Sequence, residues 1–110
     1  MGKSSLAFNV ISSINNQANC LQSLGKYAEA LPLNQRALEL RTKVLGDEHP
    51  DTIISINKLA RCFRKLGMYA EALPMFQRAL ELRTKVLGDV HPDTISSINN
   101  LACCFRDLGK

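Results

Sequence analysis

Tryptophan is absent, and only two tyrosines and four phenylalanines occur among the 110 residues. So thin an aromatic supply offers nucleobases no stacking platform. With six glycines and four prolines the composition is neither collagen-like nor that of a Pro/Gly-rich disordered chain; 45% apolar and 22% charged residues are ordinary for a folded one. Long apolar runs are also missing. The longest relevant one, Leu101-Ala102-Cys103-Cys104-Phe105, falls far short of the roughly 18 residues of a membrane span. Met1-Gly2-Lys3-Ser4-Ser5 lacks the apolar core of a secretory signal. Leu6 stands where a myristoylation signal would place Ser or Thr. A cytoplasmic location without membrane partners is expected, and residues 1–8 read as a leader or a cloning remnant.

Ligand spacings for a metal, such as CxxC or HExxH, do not occur. Gly2-Lys3-Ser4 lacks the first glycine of a phosphate-binding loop. Neither a metal nor a cofactor is expected. Ser, His and Asp recur at loop or cap positions, with no spacing that suggests a catalytic pair. The net charge of +4 is a modest excess of 14 basic over 10 acidic residues. Outside the centre of the chain the basic residues are interleaved with Glu, which disfavours nucleic acid as a partner.

Repetition is what the chain has in abundance. Laid over residues 69–109, residues 27–67 give 41 pairs, of which 34 are identical; the exceptions are 33/75, 34/76, 48/90, 54/96, 58/100, 61/103 and 65/107. A period of 42 residues points to a stacked array. Cys20, Cys62 and Cys104 recur with that period. A whole repeat unit therefore separates them, too far for the roughly 7 Å Cα spacing of a disulfide. They are expected to be reduced and buried, with Cys103 an additional vicinal thiol.

Ile53, Ile56, Leu59, Ala60, Phe63 and Leu66 recur at steps of three and four, the period of a helix and not of a strand. This helix A begins near His49-Pro50-Asp51-Thr52, where Pro suits the first turn and Asp or Thr can cap it, and it ends at Gly67. Ala72, Leu73, Phe76, Ala79, Leu80, Val86 and Leu87 mark a helix B that stops at Gly88. Pro74 lies close enough to a cap at Met68 for a mild bend and not a break. Arg78, Glu81 and Lys85 have the spacing of intrahelical ion pairs on an outer face. The same signals predict A helices at about 9–24, 52–66 and 94–108 and B helices at about 27–45 and 69–87. The order A-B-A-B-A with short connections makes successive helices antiparallel neighbours, an all-α fold.

Leu59, Ala60, Phe63, Gly67, Tyr69, Ala72, Phe76 and Ala79 have the spacing of the tetratricopeptide repeat signature, lengthened here from the usual 34 residues by eight residues within Thr84–Thr94. With its Tyr-Ala-Glu-Ala-Leu-Pro and Val-Leu-Gly-Asp-x-His-Pro-Asp-Thr runs, the 42-residue unit resembles the repeats of kinesin light chains, and nearly identical copies add to the resemblance. It covers residues 9–110 and implies a right-handed superhelical solenoid of antiparallel helix pairs, with repeats at about 9–51, 52–93 and a partial 94–110. It also implies a non-catalytic protein-interaction scaffold. The repeats are similar as well to sensor arrays of signalling NTPases, the alternative being a structural or ligand-sensing segment with no groove ligand of its own.

Polar residues on helix A, opposite its apolar stripe, are expected to line an inner groove. They are Asn57, Arg61 and Arg64 on the middle copy, Asn15, Asn19 and Gln22 on the first, and Asn99, Cys103 and Arg106 on the last. An Asn ladder at 15, 57 and 99 can pair with both N–H and C=O of an extended peptide. The arginines would supply charge-assisted bonds to carboxylates. The partner expected is an acidic protein or peptide, one bearing Asp, Glu or a terminal carboxylate, as the light-chain resemblance also implies. At the other end, Ile98, Leu101, Phe105 and Leu108 keep an apolar pattern with no helix B after them, as in an array cut from a longer one. Self-association of the chain through these residues is expected.

Overall fold

The computed structural model describes the backbone of residues 2–109 and the side chains of residues 6–109. Met1 and Lys110, the outer limits of the expected leader and array, lie outside the described residues. Five helices follow one another: α1 (Gly2–Ser23), α2 (Tyr27–Leu45), α3 (Pro50–Lys65), α4 (Tyr69–Leu87) and α5 (Pro92–Asp107). No strand is present among the described residues. Each helix packs chiefly on the one before and the one after it. The result is a slab of 47 × 33 × 19 Å.

Helices α2 and α4 have the expected limits, and both run unbroken through Pro32 and Pro74 from caps at Lys26 and Met68. The first helix differs. It begins at Gly2 and not near residue 9, because residues 2–8 contain no proline or internal glycine to stop the helix from extending forward. No helix is long and apolar enough to cross a membrane among the described residues.

The turns that precede α3 and α5 are built alike. His49 Nδ1 accepts from the Asp51 N–H at 3.0 Å, and His91 Nδ1 from the Asp93 N–H at 3.1 Å, so the imidazoles are the caps and not the expected Asp or Thr. Pro50 and Pro92 occupy the first turn behind them. Arg41 of α2 then reaches across, donating to the Asp51 carbonyl at 3.1 Å and to Ser55 Oγ at 3.0 Å. Thr52 Oγ1 returns a bond to the Arg41 carbonyl. Arg83, Asp93, Ser97 and Thr94 repeat the same clamp one unit on. Because Thr52, Ser55, Thr94 and Ser97 are buried, these bonds satisfy hydroxyls that burial would otherwise penalise.

The main core cluster joins Leu59, Ala60, Phe63, Ala72, Phe76 and Cys104. A second, of Ile53, Ile56, Ala79 and Leu82, continues it along α3 and α4. Alanines at the closest approaches let the helices come together. Cys62 and Cys104 are buried, as expected, and burial pushes both thiols up; a hydrogen bond from Asn34 partly offsets this at Cys62, as the nearby Arg64 charge does at Cys104. Cys20 corrects the expectation, for it is exposed. Its counterpart Cys62 is covered by Asn34 of the preceding α2, and α1 has no such helix before it among the described residues.

The outer face also differs from the sequence reading. Arg78 pairs with Asp47 at 3.8 Å and Lys85 with Glu48 at 2.6 Å, so both reach the α2–α3 turn and not Glu81 on their own helix. Exposed pairs of this kind add at most about 1 kcal/mol each.

Candidate functional groove

The A-type helices α1, α3 and α5 share one face, and two recesses open between them. The first has a volume of about 300 Å³. Ile54, Asn57, Lys58, Arg61 and Arg64 of α3 line one wall, Ser96, Asn100 and Cys103 of α5 the other, and Phe76 and Arg83 of α4 the base. The second, of about 280 Å³, lies between Asn19, Gln22 and Ser23 of α1, Tyr27 of α2, and Lys58 and Arg61 of α3. Lys58 and Arg61 belong to both recesses, and so form the ridge at the centre of the groove.

The cations of the groove are committed to different degrees. Lys58 Nζ donates to Asn19 Oδ1 at 3.1 Å; burial, with the Arg41 charge, holds its ammonium below the usual lysine range. Arg64 donates to Asp107 Oδ2 at 3.3 Å, with both side chains partly exposed. Arg83 is held in its clamp. Arg61 is exposed and has no hydrogen-bond or ion-pair partner among the described residues. It is the cation most available to a ligand.

The structure thus brings together Asn57, Arg61 and Arg64 in one recess and Asn19, Gln22 and Arg61 in the other. Three expected groove residues lie elsewhere. Asn15 is buried and lines neither recess. Asn99 and Arg106 are exposed on α5 outside both recesses, with Arg106 Nη2 donating to Cys103 Sγ at 3.8 Å. The expected ladder is therefore not one continuous row. Its first two members do share a feature: Asn15 Oδ1 and Asn57 Oδ1 are buried without a hydrogen-bond partner among the described residues. The sequence reading counted Lys58 as local charge but missed it as a groove side chain. Its spacing of three from Arg61 was the available signal.

At the far side of α5 the exposed apolar strip is not quite the expected one. Ile98 is 47% exposed and Phe105 and Leu108 are partly exposed, whereas Leu101 packs inward against the main core cluster. Ile95, also 47% exposed, and Ala102 complete the strip. Their counterparts Ile53 and Ala60 on α3 are buried in the two core clusters. No group of three or more His, Cys, Asp or Glu side chains that could hold a metal occurs among the described residues.

The profile of the tetratricopeptide repeat family matches residues 9–85 and 54–110. Among solved structures, a candidate kinesin light chain of Podosopora anserina with nearly identical TPR-like repeats superposes with a TM-score of 0.80 and 27% identity, over 90% of this chain and 47% of that one. A variant of the same protein gives the same values. BtubC (BKLC) from P. vanneervenii shares the fold at a TM-score of 0.84 and 20% identity, over 93% of this chain and 40% of its own. This chain spans less than half the length of each of these structures. No curated protein sequence matches it. The family match covers most of the chain, and the antiparallel helices and their order agree with it: the chain belongs to the tetratricopeptide repeat family.

Proposed function

We propose that the chain is a non-catalytic interaction scaffold, like the kinesin light chain repeats it is similar to, and that the groove over α1, α3 and α5 binds an extended acidic or carboxylate-bearing peptide. The observation that carries this reading is the convergence of Lys58, Arg61 and Arg64 on one recess, with Asp107 the only side-chain ion-pair partner opposing them among the described residues. An anion placed there gains charge-assisted bonds, of which Arg offers the bidentate form.

Arg61→Ala should weaken a glutamate-rich peptide by about tenfold, the size of one charge-assisted hydrogen bond. Arg64→Ala should cost less, because Asp107 already occupies that guanidinium. Asp107→Asn should tighten binding by freeing Arg64. Affinity measured by fluorescence anisotropy should fall with added salt, and less steeply for Arg61→Ala. Equal affinity across all four proteins would rule out the groove.

We also propose that the chain self-associates through Ile95, Ile98, Ala102 and Phe105, whose counterparts on α3 are covered by α4. Apolar strips of this kind tend to find a partner. Sedimentation velocity should show a concentration-dependent dimer that Ile98→Lys abolishes. A monomer at high micromolar concentration would remove this part of the proposal.

A further inference from the structure

Because each helix packs chiefly on its chain neighbours, α1 and α5 lie at opposite ends of the slab, each with one neighbour where the others have two. On α1 the uncovered side is a stripe of Leu6, Val10, Ser13, Gln17 and Cys20, at steps of four and three, and all five are exposed. One repeat on, Val10, Ser13 and Cys20 correspond to Thr52, Ser55 and Cys62 of α3. Those three are buried and bonded to α2, through the Arg41 carbonyl, the Arg41 guanidinium and the Asn34 amide. The bare stripe of α1 is therefore the face that a preceding helix covers inside the fold.

What α1 offers there differs from α3 in a way that selects its occupant. Val10 stands in place of Thr52 and Thr94, so the hydroxyl that bonds back to the clamp arginine is missing. Residues 4–7 are helical, whereas their counterparts 46–49 form the turn between α2 and α3. A helix seated as α2 is on α3 would lack part of its anchorage. Beside the stripe lies an open recess of about 430 Å³, mainly apolar in surface, which Gln17 and Cys20 line together with Asn16, Leu21 and Leu33. The other end has the opposite shape, the outward strip of Ile95, Ile98, Ala102 and Phe105 on α5.

The distribution of charge agrees. Helices α2, α3 and α4 carry five acidic or basic side chains each, but none occurs in residues 4–23 of α1 or 94–105 of α5. Charged residues are depleted at the cores of protein interfaces, whereas a solenoid end that stays in water presents a polar face. Charge is lacking at both ends and nowhere between.

We propose that the occupant of the α5 strip is the α1 stripe of a second copy, so that copies stack head to tail with Ile98 and Phe105 entering the recess beside Cys20. This names the partner in the self-association proposed above and rests on that reading. Such a contact joins two different faces and leaves one of each free after every addition. Dimers are its first product, and longer stacks follow.

The test places one charge at each end, at positions already exposed: Gln17→Lys on α1 and Ile98→Lys on α5. Circular dichroism should match the wild type for both. In sedimentation velocity up to high micromolar concentration, the wild type should form dimers and larger species, and each variant alone should stay monomeric. Mixed in equal amounts, the two variants should form a dimer and nothing larger, because one intact α1 meets one intact α5. No dimer in the mixture would overturn the stacking. If Gln17→Lys dimerises alone while Ile98→Lys does not, two α5 strips face each other; head-to-tail stacking is then overturned and the self-association reading stands. If Ile98→Lys associates alone, or the wild type stays monomeric, both fall. Cys20 gives a second readout. Its alkylation by N-ethylmaleimide, followed by mass spectrometry, should slow at least tenfold from dilute to associated wild type and be independent of concentration in Ile98→Lys, although that change lies at the other end of the molecule. Unslowed alkylation of Cys20 in an associated wild type would overturn the stacking even if Gln17→Lys failed to fold.

Discussion

Phe76→Asn, which places in the second unit the residue found at the same position of the first, should destabilise the chain by about 3–5 kcal/mol, the range for removing a large buried aromatic side chain. Phe76 is buried among Leu59, Ala60, Phe63, Ala72 and Cys104. Asparagine would vacate that volume and also bring an amide into it. A chain of this size has roughly 5–15 kcal/mol to lose, so part of the population should unfold at 37 °C. The reciprocal change points the other way. Asn34 is buried, and its amide donates to Cys62 Sγ at 3.0 Å and Gln22 Oε1 at 3.3 Å. Its surroundings differ from those of Phe76, with Gln17 and Leu21 standing where the second unit has Leu59 and Phe63. Leu33 beside it lines an open recess with Gln17 and Leu21, into which neighbouring side chains can shift to admit a ring. Asn34→Phe should therefore stabilise by about 1–2 kcal/mol, less than full burial of a Phe because some repacking is needed. Urea unfolding at matched temperature measures both. A loss of stability in Asn34→Phe would show that the amide bond to Cys62 outweighs the apolar gain.

Gly46→Ala and Gly88→Ala should each cost about 1–3 kcal/mol, although an added Cβ would meet nothing within 4 Å at either site. The penalty lies in the backbone. Gly46 has φ 89° and ψ 167°, and Gly88 φ 89° and ψ 169°, a region that only glycine enters readily. Helix α2 or α4 must leave its axis there within one residue and place the following His for capping. Together the two substitutions should lower the melting midpoint by several degrees more than Ala at an ordinary exposed position. A change of less than about 0.5 kcal/mol, typical of neutral surface sites, would show that the turn adopts another conformation at little cost.

The B-type helices were legible to the residue because two independent signals agreed, the apolar period and a terminal glycine that the backbone requires. The start of α1 was not, since nothing in residues 2–8 forbids a helix and propensity alone does not mark where one begins. The histidine caps escaped because imidazole nitrogen is an uncommon cap acceptor, while Asp and Thr beside it are common ones. Ion pairs on α4 were misread for a different reason. Spacing within one helix identified Glu81, and only the folded arrangement brings Asp47 and Glu48 within reach of Arg78 and Lys85. The groove was legible as a face but not in depth. Periodicity gave Asn15 and Asn57 the same position in successive units, yet burial depends on which neighbours flank each copy, which also decides the fates of Cys20 and Cys62.

The Arg41 and Arg83 clamps each tie an outer helix to the first turn of the next inner helix. Their bonds straddle the boundary between one 42-residue unit and the next. Opening a boundary therefore exposes an arginine, two hydroxyls and a helix start in one event, and each unit lends its neighbour a share of its own resistance to unfolding. Helix α1 receives no clamp of this kind among the described residues. Amide hydrogen exchange should accordingly run as a gradient, fastest in α1 and slowest in α3, which the Arg41 clamp secures at its start and a helix covers on either side. The array behaves less like a single core than like a zipper with teeth of equal size, and its weakest tooth is the first.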